Sequence, residues 1–107
     1  MKAGTIVISN FPGVVSSKRR PAVIISSETY HRERPDVILA LVTTNIANAK
    51  SATDYILRDW SSANLNRPSA VRNFLFTLPK SEVTEIGELS ERDWKEAQKR
   101  LQISLEI

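Results

Sequence analysis

The feature that most restricts this chain is the unbroken apolar run Val37-Ile38-Leu39-Ala40-Leu41-Val42. It shows no polar alternation, so both of its faces call for burial, and it is far too short to span a bilayer. A central strand from Val37 to Thr44 meets both conditions. The rest of the first two-thirds supplies its neighbours. Thr5 to Phe11 alternates around Ile6 and Ile8 and breaks at the turn-forming Pro12-Gly13 pair. Ala22 to about Ser27 contains the β-branched run Val23-Ile24-Ile25, which favours an extended, buried segment. Tyr55-Ile56-Leu57 predicts a short strand, and Ala70 to Leu78 a longer one that Pro79 stops. Thr29 to Pro35 and Asn45 to Thr53 are polar and read as loops. Asp59 to Ala63 reads as a helical turn, and Arg67-Pro68 marks a boundary because the residue before proline avoids helical geometry.

The end of the chain changes character. Ser90 followed by Asp93 resembles a capping box with the shorter acid, and Glu91 and Asp93 suit the first turn of a helix. Trp94, Ala97, Leu101 and Leu105 recur at spacings of three and four, a stripe expected to pack on the sheet. Five or six short strands plus this helix predict a mainly β (α+β) fold, a small barrel with one covering helix. With 107 residues, one domain spanning 1–107 is expected.

Composition narrows the chemistry. There is no cysteine and one histidine, His31, so thiolate and His-rich metal sites are excluded, and no cofactor is expected. Three glycines and the absence of a phosphate-loop pattern argue against nucleotide cradling. No basic segment precedes an apolar one at the N-terminus, so a cytoplasmic protein without membrane contact is expected. The net charge of +3 is mild, but Lys18, Arg19 and Arg20 are consecutive, and Arg32 and Arg34 follow. Clustered cations raise the prospect of a polyanionic partner.

Three groups of residues carry possible chemistry. Ser16-Ser17-Lys18-Arg19-Arg20-Pro21 leads into a buried strand, and an arginine fixed before a proline can grip a phosphate through its planar fork. The alternative is a solvated basic loop. Thr43-Thr44-Asn45 ends the most apolar strand, where hydroxyls and an amide either form a polar cluster or bond the last carbonyls. Tyr30-His31 with Arg32 and Arg34 offers stacking and charge, and a histidine invites a general-base role, but an exposed loop histidine is the competing reading. Trp60 and Trp94 read as core anchors.

In chain order these pieces resemble the MazF/PemK family of toxin endoribonucleases. The likeness begins with Ala3-Gly4-Thr5-Ile6-Val7-Ile8 and Phe11-Pro12. Its most specific part is Lys18-Arg19-Arg20-Pro21-Ala22-Val23-Ile24-Ile25-Ser26. Val37 to Thr43, Pro68-Ser69-Ala70-Val71-Arg72 and Ile86-Gly87-Glu88-Leu89-Ser90 complete it. The resemblance implies an SH3-like barrel of the MazF/PemK/CcdB type, a homodimer, and a metal-independent cut in single-stranded mRNA by the ribose 2′-hydroxyl. It implies Arg20 and Thr43 as catalytic residues, with Lys18, Arg19, Ser16, Ser17, Thr44, Asn45 and Arg72 binding RNA. A cognate antitoxin is implied too, with operator DNA reached through the toxin–antitoxin complex. Two departures stand out: Gly13-Val14-Val15-Ser16-Ser17 lacks the family's usual glutamate, and Arg72-Asn73-Phe74 stands where an aspartate is common. Alternatives on the same fold are a module that poisons a protein target such as gyrase, and a member that binds only antitoxin and operator.

Overall fold

A computed structural model describes residues 1–9 and 19–107. The elements in chain order are β1 (Thr5–Ser9), β2 (Arg20–Ile24), α1 (Glu28–Glu33), β3 (Asp36–Thr43), β4 (Tyr55–Ile56), β5 (Ala70–Pro79), β6 (Thr84–Glu88) and α2 (Glu91–Ser104). The strands form one antiparallel sheet in the order β4-β5-β3-β2-β1-β6. The apolar run of β3 lies inside it, paired with β2 on one side and β5 on the other. Both its faces are packed, Ala40 and Val42 in one core and Val37 and Leu39 in the other, which is why neither needs polar residues.

Alternation divides the core in two. Ile6, Val23, Ala40, Val42, Tyr55 and Val71 point to one face, where Ala97 of α2 and the half-buried Trp94 cover them. Val7, Ala22, Ile24, Val37 and Leu39 point to the other, packed with Phe76, Leu78 and Val83. The expected helix is present, capped by the Ser90 hydroxyl, which accepts from the Asp93 N–H at 3.1 Å. Leu105 falls just past its last turn and is exposed.

The helix start rests on a buried acid. Asp93 is fully buried, and its carboxylate accepts from Tyr55 Oη at 2.6 Å, Asp59 N at 2.8 Å and Arg58 N at 3.2 Å. Burial, and then this hydrogen bond, push the Tyr55 phenol well above its usual pKa. Asp59 in turn accepts from Ser90 Oγ at 2.6 Å and Arg92 Nη2 at 2.6 Å. Those contacts, the Arg92 bond foremost, hold the Asp59 carboxyl below the usual range. One network thus ties the end of β4, the Trp60–Asn64 turns and α2 together.

One expectation is corrected. Thr29 to Pro35 is not a loop throughout: α1 occupies Glu28–Glu33, because the Ser27 hydroxyl caps it by accepting from Tyr30 N at 3.2 Å. Tyr30 Oη also donates to Asp36 Oδ2 at 2.6 Å, pinning the helix to the start of β3 and lowering the Asp36 pKa. The sixth strand, within the five or six expected, falls on a segment that no strand signal marked. β6 forms the sheet edge on β1, and its largely exposed Thr-Glu-Ile-Gly-Glu sequence carries almost no apolar signal. Of the first expected strand, residues 10 and 11 lie outside the described residues.

Candidate nucleic-acid interface

The ends of β2 and β3 distribute consecutive polar residues to opposite faces. Ser9 pairs with Arg20, and Ala22 pairs with Leu41. Continuing that register by two residues sets Arg20 across from Thr43, which itself pairs with Ala70. Side chains two apart on a strand share a face, so Arg20 and Thr43 stand on the face of Ala22 and Leu41. The next row along this face runs Val7, Ala22, Leu41 and Arg72. Facing neighbours in such a ladder have Cβ atoms about 4.5–5.5 Å apart and diagonal ones roughly 7–8 Å. Arg20, Thr43 and Arg72 therefore form a group on one face of the sheet, in two adjacent rows of three strands.

Each member is held differently. Arg20 is exposed at the first position of β2, followed by Pro21, whose fixed φ sets the chain direction. Thr43 Oγ1 accepts from the Asn45 N–H at 3.1 Å, which bends the chain out of β3 and leaves the hydroxyl proton as a donor. Arg72 Nε lies 3.7 Å from Oδ1 of Asp54, an acid that sequence reasoning missed. Asp54 is 6% exposed and its Oδ2 accepts from Ser51 N at 3.2 Å. Extending the Tyr55↔Val71 pairing by one residue puts Asp54 across from Arg72. These two line a cleft of about 340 Å³ with Leu41, Thr53, Asn73 and Phe74.

The bulge between Ala40 and Leu41 shapes this cleft. Leu75 pairs with Ala40 and Arg72 with Leu41, so Asn73 and Phe74 have no ladder partner. Asn73 Nδ2 donates to Thr53 O at 3.0 Å and to Ser104 Oγ at 2.7 Å, while Phe74 is left 67% exposed.

The remaining expected residues separate from that cluster. Arg19 lies on the reverse face, where its Nη2 donates to Ile8 O at 3.2 Å and Thr84 Oγ1 at 3.1 Å. Thr44 shares with it a second cleft, of about 260 Å³. Asn45 is exposed where the chain leaves β3 and enters a short 3₁₀ turn. Ser16, Ser17 and Lys18 lie outside the described residues. His31 is not an exposed loop residue: it is 9% exposed within α1, its Nε2 is 2.6 Å from Ser26 Oγ, and its Nδ1 is 3.1 Å from the Met1 carbonyl oxygen. Both ring nitrogens are engaged inside the fold, which removes it from consideration as a base. Among the described residues no group of three or more His, Asp or Glu is placed to hold a metal ion.

Residues 2–105 match the family model of the PemK-like, MazF-like toxin of type II toxin-antitoxin systems. A protein named endoribonuclease MazF from Staphylococcus saprophyticus is 30% identical over 110 residues, covering 98% of this chain and 91% of its own. The fold is similar to that of an endoribonuclease in complex with its cognate antitoxin from a mycobacterial species, with TM-score 0.81 at 20% identity, covering 100% and 96% of the two chains. It is also similar to a MazE-MazF structure from Deinococcus radiodurans, with TM-score 0.78 at 18% identity and coverage of 100% and 97%.

Proposed function

The chain belongs to the PemK-like, MazF-like toxins of type II toxin-antitoxin systems, and from that membership we propose that it is an endoribonuclease cutting single-stranded RNA through the ribose 2′-hydroxyl, without a metal ion. What supports the reading is the β2–β3 register, which, continued two residues past Ala22↔Leu41, sets Arg20 across from Thr43 at the ends of the two strands. Attack of the 2′-oxygen on phosphorus breaks the bond to the 5′-oxygen and leaves a 2′,3′-cyclic phosphate and a 5′-hydroxyl. Negative charge grows on the non-bridging oxygens along the way. A guanidinium anchored before a proline is aimed at that charge with little reorganisation. Arginine stays protonated throughout, so Arg20 stabilises charge, and water carries the proton to the leaving oxygen. The Thr43 hydroxyl donates to a phosphate oxygen or orients the nucleophile. Arg72 supplies a further cation for a neighbouring phosphate, and Lys18, Arg19, Ser16, Ser17, Thr44 and Asn45 extend the contact along the strand.

The partners follow from the same face. Ile56 and Phe74 are 47% and 67% exposed beside the cluster, an apolar area suited to a second copy of the chain in a homodimer. A cognate antitoxin covers the cationic groove and, in the complex, brings operator DNA. No described helix is long and apolar enough to cross a membrane, and the reading places the protein in the cytoplasm with mRNA.

The test is incubation with a long single-stranded RNA in EDTA, beside Arg20→Ala. Wild-type cleavage leaving cyclic-phosphate ends, reduced about 10²–10³-fold in the variant, is the expected result. Intact RNA under these conditions, with growth arrest in cells, would redirect the assignment to a protein target.

A further inference from the structure

A buried acid underlies the guanidinium of Arg72. Burial within this pair is unequal: the Asp54 side chain is 5% exposed and the Arg72 side chain 45%. The carboxylate therefore lies at the floor of the cleft the two residues share, and the guanidinium at its mouth. Arg72 approaches through Nε, and its two Nη groups make no hydrogen bond among the described residues. Asp54 is anchored before any ligand arrives. Its N–H donates to Ser51 O at 3.0 Å, its Oδ2 accepts from Ser51 N at 3.2 Å, and its carbonyl oxygen accepts from Arg100 Nη1 of α2 at 3.0 Å. Arg100 also donates to Ala52 O and lies over the Tyr55 ring, 5.8 Å from its centroid. Asn73 Nδ2, donating to Thr53 O, stitches the same turn to β5 beside Arg72.

We propose that Asp54 is a positioning residue: it holds Arg72 by the Nε edge and turns the Nη fork outward, to a phosphate of the bound strand. That role rests on the cleavage reading, in which Arg72 meets RNA. A carboxylate taken out of water is costly unless it is paired, and among the described residues only the Ser51 N–H and Arg72 answer its oxygens. An acid placed there merely to fill space would be better replaced by an apolar side chain. At 3.7 Å the contact with Arg72 is an ion pair and not a hydrogen bond, so a phosphate meets the Nη groups without breaking a bond to Asp54. An arginine loses rotamer freedom when it grips a phosphate, and a guanidinium held beforehand loses less. The sign of the effect is diagnostic. The negative charge of Asp54 repels RNA, so its removal tightens binding if charge is all that matters. Positioning requires the opposite.

Binding and cleavage are measured separately. A single-stranded RNA carrying 2′-O-methyl groups, which removes the attacking hydroxyls, reports affinity across a salt series, and unmodified RNA reports kcat and KM. Arg72→Ala weakens binding about tenfold and lowers the salt slope by about 0.7, the share of one phosphate contact on a single strand. Asp54→Asn keeps the shape of the side chain and weakens binding about fivefold, with the loss falling on KM and not on kcat. In the Arg72→Ala background Asp54→Asn has no further effect, a non-additivity that loosened packing does not produce. Arg72→Lys keeps the charge without the Nε edge and binds about fivefold more weakly than wild type, an arm that decides the matter even if Asp54→Asn fails to fold. Tighter or unchanged binding by Asp54→Asn overturns the proposal, as does a loss that persists without Arg72, or an Arg72→Lys variant that binds like wild type. Wild type that binds RNA with this pattern but leaves unmodified RNA intact refutes the cleavage reading and leaves the positioning role standing. Wild type that binds no RNA overturns both.

Discussion

Asp93→Ala removes the acceptor at the centre of the network joining β4 to α2. Three donors lose their partner: the Tyr55 hydroxyl and the Arg58 and Asp59 N–H groups. Arg58 is exposed and its N–H can recruit water, so the full penalty falls on the other two. A buried donor left unsatisfied costs about 1–3 kcal/mol, which sums to about 2–6 kcal/mol here. Against a typical total of about 5–15 kcal/mol, that is enough to unfold a sizeable fraction of the protein. Asp93→Asn keeps one carbonyl oxygen for Tyr55 but turns an amide towards the Asp59 N–H, and a loss of about 1–2 kcal/mol is expected. The assay is urea denaturation followed by the fluorescence of Trp60 and Trp94, at one fixed protein concentration because self-association shifts the midpoint. The order expected is wild type, Asn, Ala. Combining Tyr55→Phe with Asp93→Ala should cost less than the sum, since the phenol no longer needs an acceptor. An alanine variant within 1 kcal/mol of wild type, or equal to the asparagine variant, would refute the account of a carboxylate-organised helix start.

Two further outcomes are expected. Gly87→Ala sets a methyl against the Ala63 carbonyl, backbone that cannot yield without moving the Trp60–Asn64 turns, and a lower melting temperature worth about 1–3 kcal/mol should follow. Asp59 and Asp36 both titrate below the ordinary value. Their contribution is therefore complete above about pH 4, the unfolded value, and is lost as pH falls through the depressed folded values. Denaturation midpoints should hold on the neutral side and drop in acid, and Asp59→Asn should flatten that drop.

How much was legible in the chain differs element by element. β3 was readable because an apolar run without alternation has few other homes. The last helix was readable from Ser90 and the Trp94-Ala97-Leu101 stripe. α1 was not, since Glu-Thr-Tyr-His-Arg-Glu is polar and six residues are too few to hold a helix alone. It is made by the Ser27 cap and by Tyr30 reaching Asp36, a contact no local pattern shows. β6 escaped because an exposed edge strand needs little apolar sequence. Within the site, Arg20 and Thr43 stood out through the resemblance to the MazF/PemK family, but their positions on one sheet face required the strand register. Asp54 was invisible for the same reason, because only the pairing of β4 with β5 brings it to Arg72. Asp93 was recognisable as an acid in a first turn, and its burial depends on tertiary packing alone.

The division of Arg19 and Arg20 between two faces makes function a matter of parity. Charge and composition hardly distinguish the two arginines, yet counting from Pro21 one is odd and the other even, and the same holds for Thr43 and Thr44. Residues inserted upstream of Arg19 leave that count intact, so the preceding segment is free to change length. A single insertion between Val23 and Ile24 would invert it, sending the Arg20 guanidinium to the back of the sheet and Val23 to the wrong core. The frame to be preserved in redesigning or comparing such chains is therefore the spacing from the arginine to the buried strand, more than the identity of its basic neighbours.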